Sequence, residues 1–352
     1  MADKTGIEWT DATWNPIRGC TRVSEGCRNC YAERVAGRFS GPGQPYEGLA
    51  RMTASGPRWT GAVCLVPEHL EDPIRWRKPR RIFVNSMSDL FHEGLGDAEI
   101  ARVFEVICRS LKGRQPHERH TYQILTKRAE RMEQWFEWAE RKYPGWFGSD
   151  GLLDLGDVQL GVSVESQQTA EERIPHLLRV PVRVRFLSCE PLLGPVDLTL
   201  VDHLFGWINA LTGQTFDGDN GNPVGSISAR GVDWVIVGGE SGPGARPMHP
   251  DWARTLRDQC QAAGVAFHFK QWGEWKPISE MPEDEYDPLY EPAPARDPEA
   301  TRRCRVATRA IQWDGGDGYQ LIQGHCGYLT FRVGKKRAGR TLDGRTWDEF
   351  PA

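Results

Sequence analysis

Three of the nine cysteines in this 352-residue chain fall within GCTRVSEGCRNCYAERV, residues 19–35. Cys20, Cys27 and Cys30 are spaced C-x6-C-x2-C. Thiols this close together bind a metal, pair as disulfides or carry redox chemistry. A structural zinc site would take one more Cys or His, and the next candidates, Cys64 and His69, are well removed in sequence. A partner folding in from further away would complete such a site. Three unligated thiols would be prone to oxidation. A [4Fe–4S] cluster held by three thiolates makes use of the missing ligand, because one iron stays open to a substrate or cofactor.

Composition narrows the setting. Apolar residues at 39% and charged residues at 26% suit a soluble globular enzyme and exclude a disordered chain. A net charge of −4 argues against a basic nucleic-acid coat, while leaving room for local basic patches. The opening MADKTGIEWTDATWN lacks a basic region followed by an apolar core, so no signal peptide is expected. No window reaches the roughly 18 apolar residues of a membrane span. The expected compartment is the cytoplasm, whose reducing poise disfavours the disulfide role.

The elements that must position these thiols follow from periodicity. RRIFVNSMSD (80–89), TYQILTKR (121–128), DVQLGVSVES (157–166), VRVRFLSCEPLLG (182–194), VDWVIVGGESG (232–242) and VAFHFKQWGEW (265–275) are predicted strands. Between them lie predicted helices over 97–112, 129–142, 167–179 and 250–264, with Pro175 expected to kink or break the third. Such alternation implies an α/β fold with a parallel sheet, as a partial or full (β/α) barrel. The barrel is expected over 1–275, with a loop insertion at 200–231. An acidic, Pro-rich excursion and a basic, aromatic tail over 276–352 are expected to pack on it.

Barrel active sites lie at the carboxyl ends of the strands. The polar residues there are Asn85, Ser86 and Asp89; Thr126, Lys127 and Arg128; and Ser163, Glu165 and Ser166. Later strands end in Ser188, Cys189 and Glu190, then Gly238, Gly239 and Glu240, then Lys270 and Gln271. Glu190 and Glu240 are candidate substrate-binding or acid–base groups, with Lys270 a partner for either. Cys304, His325 and Cys326 are a weak candidate for a second metal site.

A three-cysteine loop after a first barrel strand resembles the radical S-adenosylmethionine enzymes. That resemblance implies a [4Fe–4S] cluster on Cys20, Cys27 and Cys30, S-adenosylmethionine on the open iron, and a 5′-deoxyadenosyl radical as the reactive species. The usual pattern has a first gap of three and an aromatic before the last cysteine; here the gap is six, Asn29 precedes Cys30 and Tyr31 follows it. By strand position, the resemblance points to Asn85, Ser86 and Met87 for the methionyl amino group, and to Lys127 or Arg128 for its carboxylate. Ser163 and Glu165 would bond the ribose. Gly238 and Gly239 would bring backbone close to the ligand, with Arg246 as an anion partner, or simply make a tight turn. Cys189 would face the barrel mouth as a hydrogen-atom donor, or be a small buried thiol. A reductase or flavodoxin-type electron donor is also implied.

Longer blocks extend the likeness, among them IEWTDATWNP, RWRKPRRIFVNSMSDLFHE, LTKRAERM, RFLSCEPLLGPVDL, DWVIVGGESGPGARPMHPDWARTLRDQC and VGKKRAGRTLDGRTWDEFP. Together they resemble the phage- and mobile-element-associated family labelled by the phage gene products numbered 37 and 68. A nucleic acid or nucleotide substrate is suggested by RWRKPRR (75–81) and GKKRAGR (334–340), which set cations beside Trp76 and near Trp347. Radical modification of a peptide or protein docking on the acidic excursion is a second expectation. A non-catalytic, zinc-stapled barrel is a third.

Overall fold

The computed structural model describes residues 5–147, 156–204, 206–291, 303–317 and 327–351. Among these, seven strands form one sheet: β1 (Ala12–Trp14), β2 (Arg81–Val84), β3 (Thr121–Thr126), β4 (Val158–Ser163), β5 (Val184–Cys189), β6 (Trp234–Gly238) and β7 (Ala266–Gln271). Spatial order follows chain order, and the pairings β1 to β2, β2 to β3, β3 to β4, β4 to β5 and β6 to β7 are all parallel. Sequential parallel strands need a crossover at every step. Helix α1 (Tyr31–Arg38) lies in the first crossover; α2 (Asp97–Leu111), α3 (Ala129–Lys142), α4 (Gln167–Arg179) and α5 (Pro250–Ala263) lie in later ones. Among the described residues β1 and β7 stand at the two ends of this strand order, which is consistent with a partial (β/α) barrel. No helix among the described residues is long and apolar enough to cross a membrane.

Local sequence accounts for the helices. In α2 the Glu99 carboxylate accepts the Gly96 N–H at 2.9 Å, fixing the first turn. Ile100, Val103, Phe104 and Ile107 recur at helical spacing and are fully buried. Phe104 stacks on Trp135 of α3 at 4.4 Å. Helix α5 starts with Pro250 and stops at Gly264, whose φ of 69° is the left-handed cap glycine accepts readily. The expected break at Pro175 does not occur, since α4 runs on to Arg179.

The chain packs as two compact units. One comprises Met1–Ser163, Glu171–Ser188 and Val201–Asp233; the other comprises Val164–Ala170, Cys189–Leu200 and Trp234–Ala352. In the first, strand alternation sorts side chains cleanly between two faces. On the helix side, Tyr122 meets Ser110 of α2 at 2.6 Å, and Arg185 donates to the Leu177 and Val180 carbonyls near the end of α4. On the opposite side, Trp9 lies 4.7 Å from Phe83 and 6.2 Å from Phe186. There the Gln123 amide donates to the Trp9 carbonyl and to Gln159.

Two expected irregular segments carry sheets of their own. The insertion at 200–231 holds four antiparallel strands, Val201–His203, Gly206–Ile208, Gln214–Asp217 and Pro223–Ser226, with Trp207 stacked on Phe216 at 5.6 Å. Short alternating runs of this kind look like loop because each is only three or four residues long. Likewise Trp275–Pro277, Thr308–Ile311 and Tyr328–Arg332 form an antiparallel sheet over buried Met281, Leu289 and Phe331. His325 and Cys326 lie outside the described residues, as does 292–302 of the acidic excursion.

Gly161 in β4 shows how tight the face opposite the helices is. A Cβ there would sit 2.5 Å from the ring of Phe186, which is fully buried. Gly161→Ala is expected to lower stability by about 1–3 kcal/mol through overpacking. Urea denaturation reads this as a lower midpoint with an unchanged slope; an unchanged midpoint would show that the ring has room to give way.

Candidate metal and cofactor site

The cysteine loop leaves the carboxyl end of β1 through Ile17–Arg18, which pairs antiparallel with Cys64–Leu65. Gly19 follows with φ 91°, and a Cβ there would fall 2.1 Å from the Ala62 carbonyl oxygen. Only glycine allows both the backbone angle and that approach, so it sets the path into Cys20. A 3-10 turn, Glu25–Cys27, places the second cysteine, with the Cys27 N–H donating to the Ser24 carbonyl at 3.0 Å. Cys30 stands just before α1. Glu33 of α1 is buried and accepts from Arg22 Nε at 3.3 and 3.1 Å and from the Trp59 N–H at 3.0 Å. This buried carboxylate fastens the loop to the helix that follows it. Nothing in local sequence pattern marks Arg22 and Glu33 as partners.

Arg128, at the end of β3, is the centre of the cluster. It is 6% exposed, which for a guanidinium demands acceptors on every side. Nη1 donates to Asp89 Oδ2 at 3.0 Å and lies 3.9 Å from Cys20 Sγ; Nη2 donates to Thr21 Oγ1 at 2.6 Å and to its carbonyl at 3.3 Å. Nε donates to both carboxylate oxygens of Glu93, at 3.0 and 2.8 Å. Asp89 is held in turn by Thr126 Oγ1 at 2.7 Å and the Lys127 N–H at 3.1 Å. Behind it, His92 Nδ1 accepts the Gly94 N–H at 3.0 Å, which leaves Nε2 to donate to Thr21 Oγ1 at 3.0 Å. Burial, then Arg128, lower the His92 pKa and keep the ring neutral.

Burial, followed by Asp89, pushes the Cys20 thiol up to about 12, with Arg128 pulling the other way. Burial also raises Cys30, opposed by the backbone N–H groups of Glu33 and Ala32 and by Lys127. The neighbouring sulfurs add to the rise, Cys30 and Cys27 at Cys20 and Cys27 at Cys30. Among the described residues, no three His, Cys, Asp or Glu side chains stand close enough to enclose a metal ion as they are placed. The donor set nonetheless fits a thiolate-bound metal. Thiols lose their protons to solvent when their sulfurs bind a cation, and Arg128, Lys127 and the first amides of α1 would offset the negative charge on the thiolates.

After β2, Asn85 takes a left-handed φ of 59°. Its Oδ1 accepts the Ile17 N–H at 3.3 Å, while its Nδ2 is buried with no hydrogen-bond partner among the described residues. Asn15 Oδ1 accepts Ser86 Oγ at 3.2 Å and the Met87 N–H at 3.0 Å, and Tyr31 OH donates to the Ser86 carbonyl. Met87 packs on Ala36, Tyr46, Leu49 and Ala50. Lys127 is half-buried and within electrostatic reach of Cys30, whereas Arg128 spends its donors on protein acceptors. Of the two cations expected for a methionyl carboxylate, Arg128 holds the loop beside Cys20, and Lys127 acts electrostatically on Cys30. Ser163 is buried, and its carbonyl accepts Arg173 Nη1 at 2.7 Å.

The second unit holds the remaining candidates. Glu165 is buried, its N–H donating to Thr169 Oγ1 at 2.9 Å. Lys270 pairs with Glu190 at 2.9 Å. Glu240 instead closes a ring with Arg246, accepting its backbone N–H at 2.8 Å, Nε at 2.9 Å and Nη2 at 2.8 Å. That ion pair shapes the 239–246 turn, so Arg246 serves Glu240 rather than standing as an open anion site. The glycines have packing reasons. A Cβ on Gly238 would meet Glu190 Oε1 at 2.7 Å, and one on Gly239 would meet the Trp272 carbonyl oxygen at 2.0 Å. Cys189 is wholly buried, and its pKa stands well above the ordinary thiol value through burial and then Cys260 of α5. It shares strand phase with helix-facing Arg185, so it does not face a barrel mouth, and the small buried thiol is what the structure contains. Cys304 Sγ donates to the Leu289 carbonyl at 3.4 Å.

Over residues 4–351 the chain matches the family described as "Protein of unknown function (DUF5131)", and it belongs to that family. No curated protein and no solved structure matches it.

Removing Arg128 would leave Asp89 buried without its counter-ion. Arg128→Met is expected to cost about 3–5 kcal/mol of stability, and Arg128→Lys less. A double-mutant cycle with Asp89→Asn, followed by urea denaturation, should give a coupling of at least about 1 kcal/mol. Additive losses would mean that the pair does not act as a unit.

Proposed function

We propose that this chain is a radical S-adenosylmethionine enzyme whose Cys20, Cys27 and Cys30 hold a [4Fe–4S] cluster. The observation that carries the reading is the placing of three cysteines on one loop leaving β1, with Cys20 Sγ 3.9 Å from the buried Arg128 guanidinium, and, after the neighbouring strand β2, the unpartnered buried amide of Asn85. When bound, such a cluster supplies an electron to S-adenosylmethionine and thereby a 5′-deoxyadenosyl radical able to take a hydrogen atom from a substrate.

The chain's own residues then have defined work. Arg128 fixes Cys20 and Thr21 against the end of β3, and Glu33 fixes the loop to α1. Asn85 Nδ2 offers a hydrogen bond, and the Ser86 carbonyl is held in place by Tyr31. Lys127 supplies positive charge on the side of Cys30. In the second unit, Glu190 and Lys270 form a polar pair suited to orienting a substrate. The proposal includes the phage or mobile-element setting, a cytoplasmic location and an electron donor of reductase or flavodoxin type.

The basic runs expected to bind a nucleic acid substrate are placed away from the thiols or already engaged. Residues 75–81 precede β2, so they lie at its amino end, whereas the cysteine loop leaves the carboxyl end of β1. With β1 and β2 parallel, the separation is about a strand length, roughly 13 Å. In the tail, Trp347 is buried, its ring covered by Arg345 at 3.4 Å, and Arg337 donates to the Glu285 carbonyl.

Anaerobic reconstitution with iron and sulfide, followed by EPR of the reduced protein, tests the proposal. A cluster signal that shifts on adding S-adenosylmethionine and is lost in Cys27→Ala is the expected result. Stoichiometric zinc with no cluster would overturn it and favour a metal-stapled barrel.

A further inference from the structure

The segment between β1 and β2 has a charge opposite to that of the chain. Residues 18–60 contain seven arginines against three glutamates, with no lysine or aspartate, hence +4 locally where the whole chain carries −4. Arg22 and Arg58 face Glu33, Arg18 donates to the Pro45 carbonyl over the Tyr46 ring, and Arg28 lies 3.8 Å from Glu25 with both side chains exposed. Exposed side chains of the segment define a surface. Helix α1 buries Ala32, Glu33, Ala36 and Gly37. Tyr31, Arg34 and Arg38, spaced by three and four residues, therefore share its other face. Arg28, 66% exposed, lies just before that face, and Arg51 is exposed on the hairpin Ala50–Thr53 and Gly56–Trp59 packed beside α1. Tyr31 and Phe39 are about half exposed, at 49% and 48%. The surface begins at the thiols, because Tyr31 follows Cys30 and its hydroxyl bonds the Ser86 carbonyl.

We propose that this face binds a single-stranded nucleic acid, with phosphates on Arg28, Arg34, Arg38 and Arg51 and bases stacked on Tyr31 and Phe39. It would thereby lead a nucleotide to the cysteine site; this delivery step, though not the binding, rests on the radical-enzyme reading above. Interleaved arginines and exposed aromatics suit an unpaired strand, whose bases are free to stack, better than a duplex, whose bases are not. A membrane-surface helix would instead carry a broad apolar face, and α1 presents an arginine-bearing one of only eight residues.

The test is fluorescence anisotropy of the full chain with a labelled 20-nucleotide single strand of mixed sequence and with the matching duplex. The single strand should bind more tightly, and its affinity should fall with salt. Arg34→Glu/Arg38→Glu should weaken binding by at least about tenfold and flatten the salt dependence. Phe39→Ala should weaken it several-fold, and Arg77→Glu/Lys78→Glu, at the other strand edge, should change it less than about twofold. Preferred binding of the duplex, an unaffected Arg34→Glu/Arg38→Glu protein, or equal displacement by poly-glutamate would each overturn the proposal. Iron content after reconstitution separates the two readings. Strand binding in a protein that takes up no cluster would retain the surface and remove the radical chemistry, whereas a cluster-bearing protein with no strand affinity would do the reverse.

Discussion

Taking a guanidinium out of water costs several kcal/mol unless acceptors surround it, and Arg128 is buried at the point where β3 ends. Its acceptors come from two separate stretches: Thr21 and, more weakly, the sulfur of Cys20 in the cysteine loop, and Asp89 and Glu93 after β2. None of these groups can move far without stranding a charge. The cysteine loop has little regular structure of its own, so this arginine and the Glu33 carboxylate supply the rigidity that a helix or strand would otherwise provide. Arg128 and Asp89 also act on the thiol of Cys20: burial and then Asp89 disfavour its thiolate, Arg128 favours it, and the two ions also fix the loop's position.

Much of the scaffold is legible in the sequence because it depends on short-range periodicity. The six strands over 80–275 and the four longer helices follow from apolar spacing, and their alternation allows only a parallel sheet with crossovers. The three cysteines are legible as a group for the same reason, being close in sequence. What ties them down is not. Arg128 meets Asp89 across 39 residues and Thr21 across 107, and no local pattern encodes such pairings. Strand phase is likewise hidden where every residue is buried. β5 is buried along its whole length, so Cys189 and Glu190 can be assigned to faces only once Phe186 is seen on Trp9 and Arg185 on α4.

The glycines of the second unit illustrate a different limit. A Gly-Gly pair after a buried strand suits a ligand approached by backbone and a turn equally well. At Gly239 the close neighbour is the Trp272 carbonyl, a backbone atom that makes the glycine a packing requirement, whereas at Gly238 it is the end of the Glu190 side chain. The acidic and basic side chains around the pair are also spent internally, Glu240 on Arg246 and Glu190 on Lys270. Opposite charges in this unit neutralise one another in pairs, whereas around the cysteines the positive charge exceeds what nearby carboxylates absorb.

That asymmetry gives the fold its functional direction. In a parallel sheet all loops leaving the carboxyl ends of strands share one edge, so a charge placed in the β1 to β2 connection acts there, while a charge placed just before β2 acts at the other edge. The two arginine-rich stretches of this region, 18–60 and 75–81, are close in sequence and similar in composition, yet they occupy opposite ends of the strands. In the second, the backbone carbonyls of Trp76 and Arg77 are bound by Arg114 and the Arg80 guanidinium lies 5.1 Å over the Trp76 ring. Those interactions bind the stretch to its own surroundings. Only the first stretch combines exposed arginines and aromatics with the thiols on one continuous segment, so an anionic strand drawn to it would arrive where the sulfur chemistry is placed.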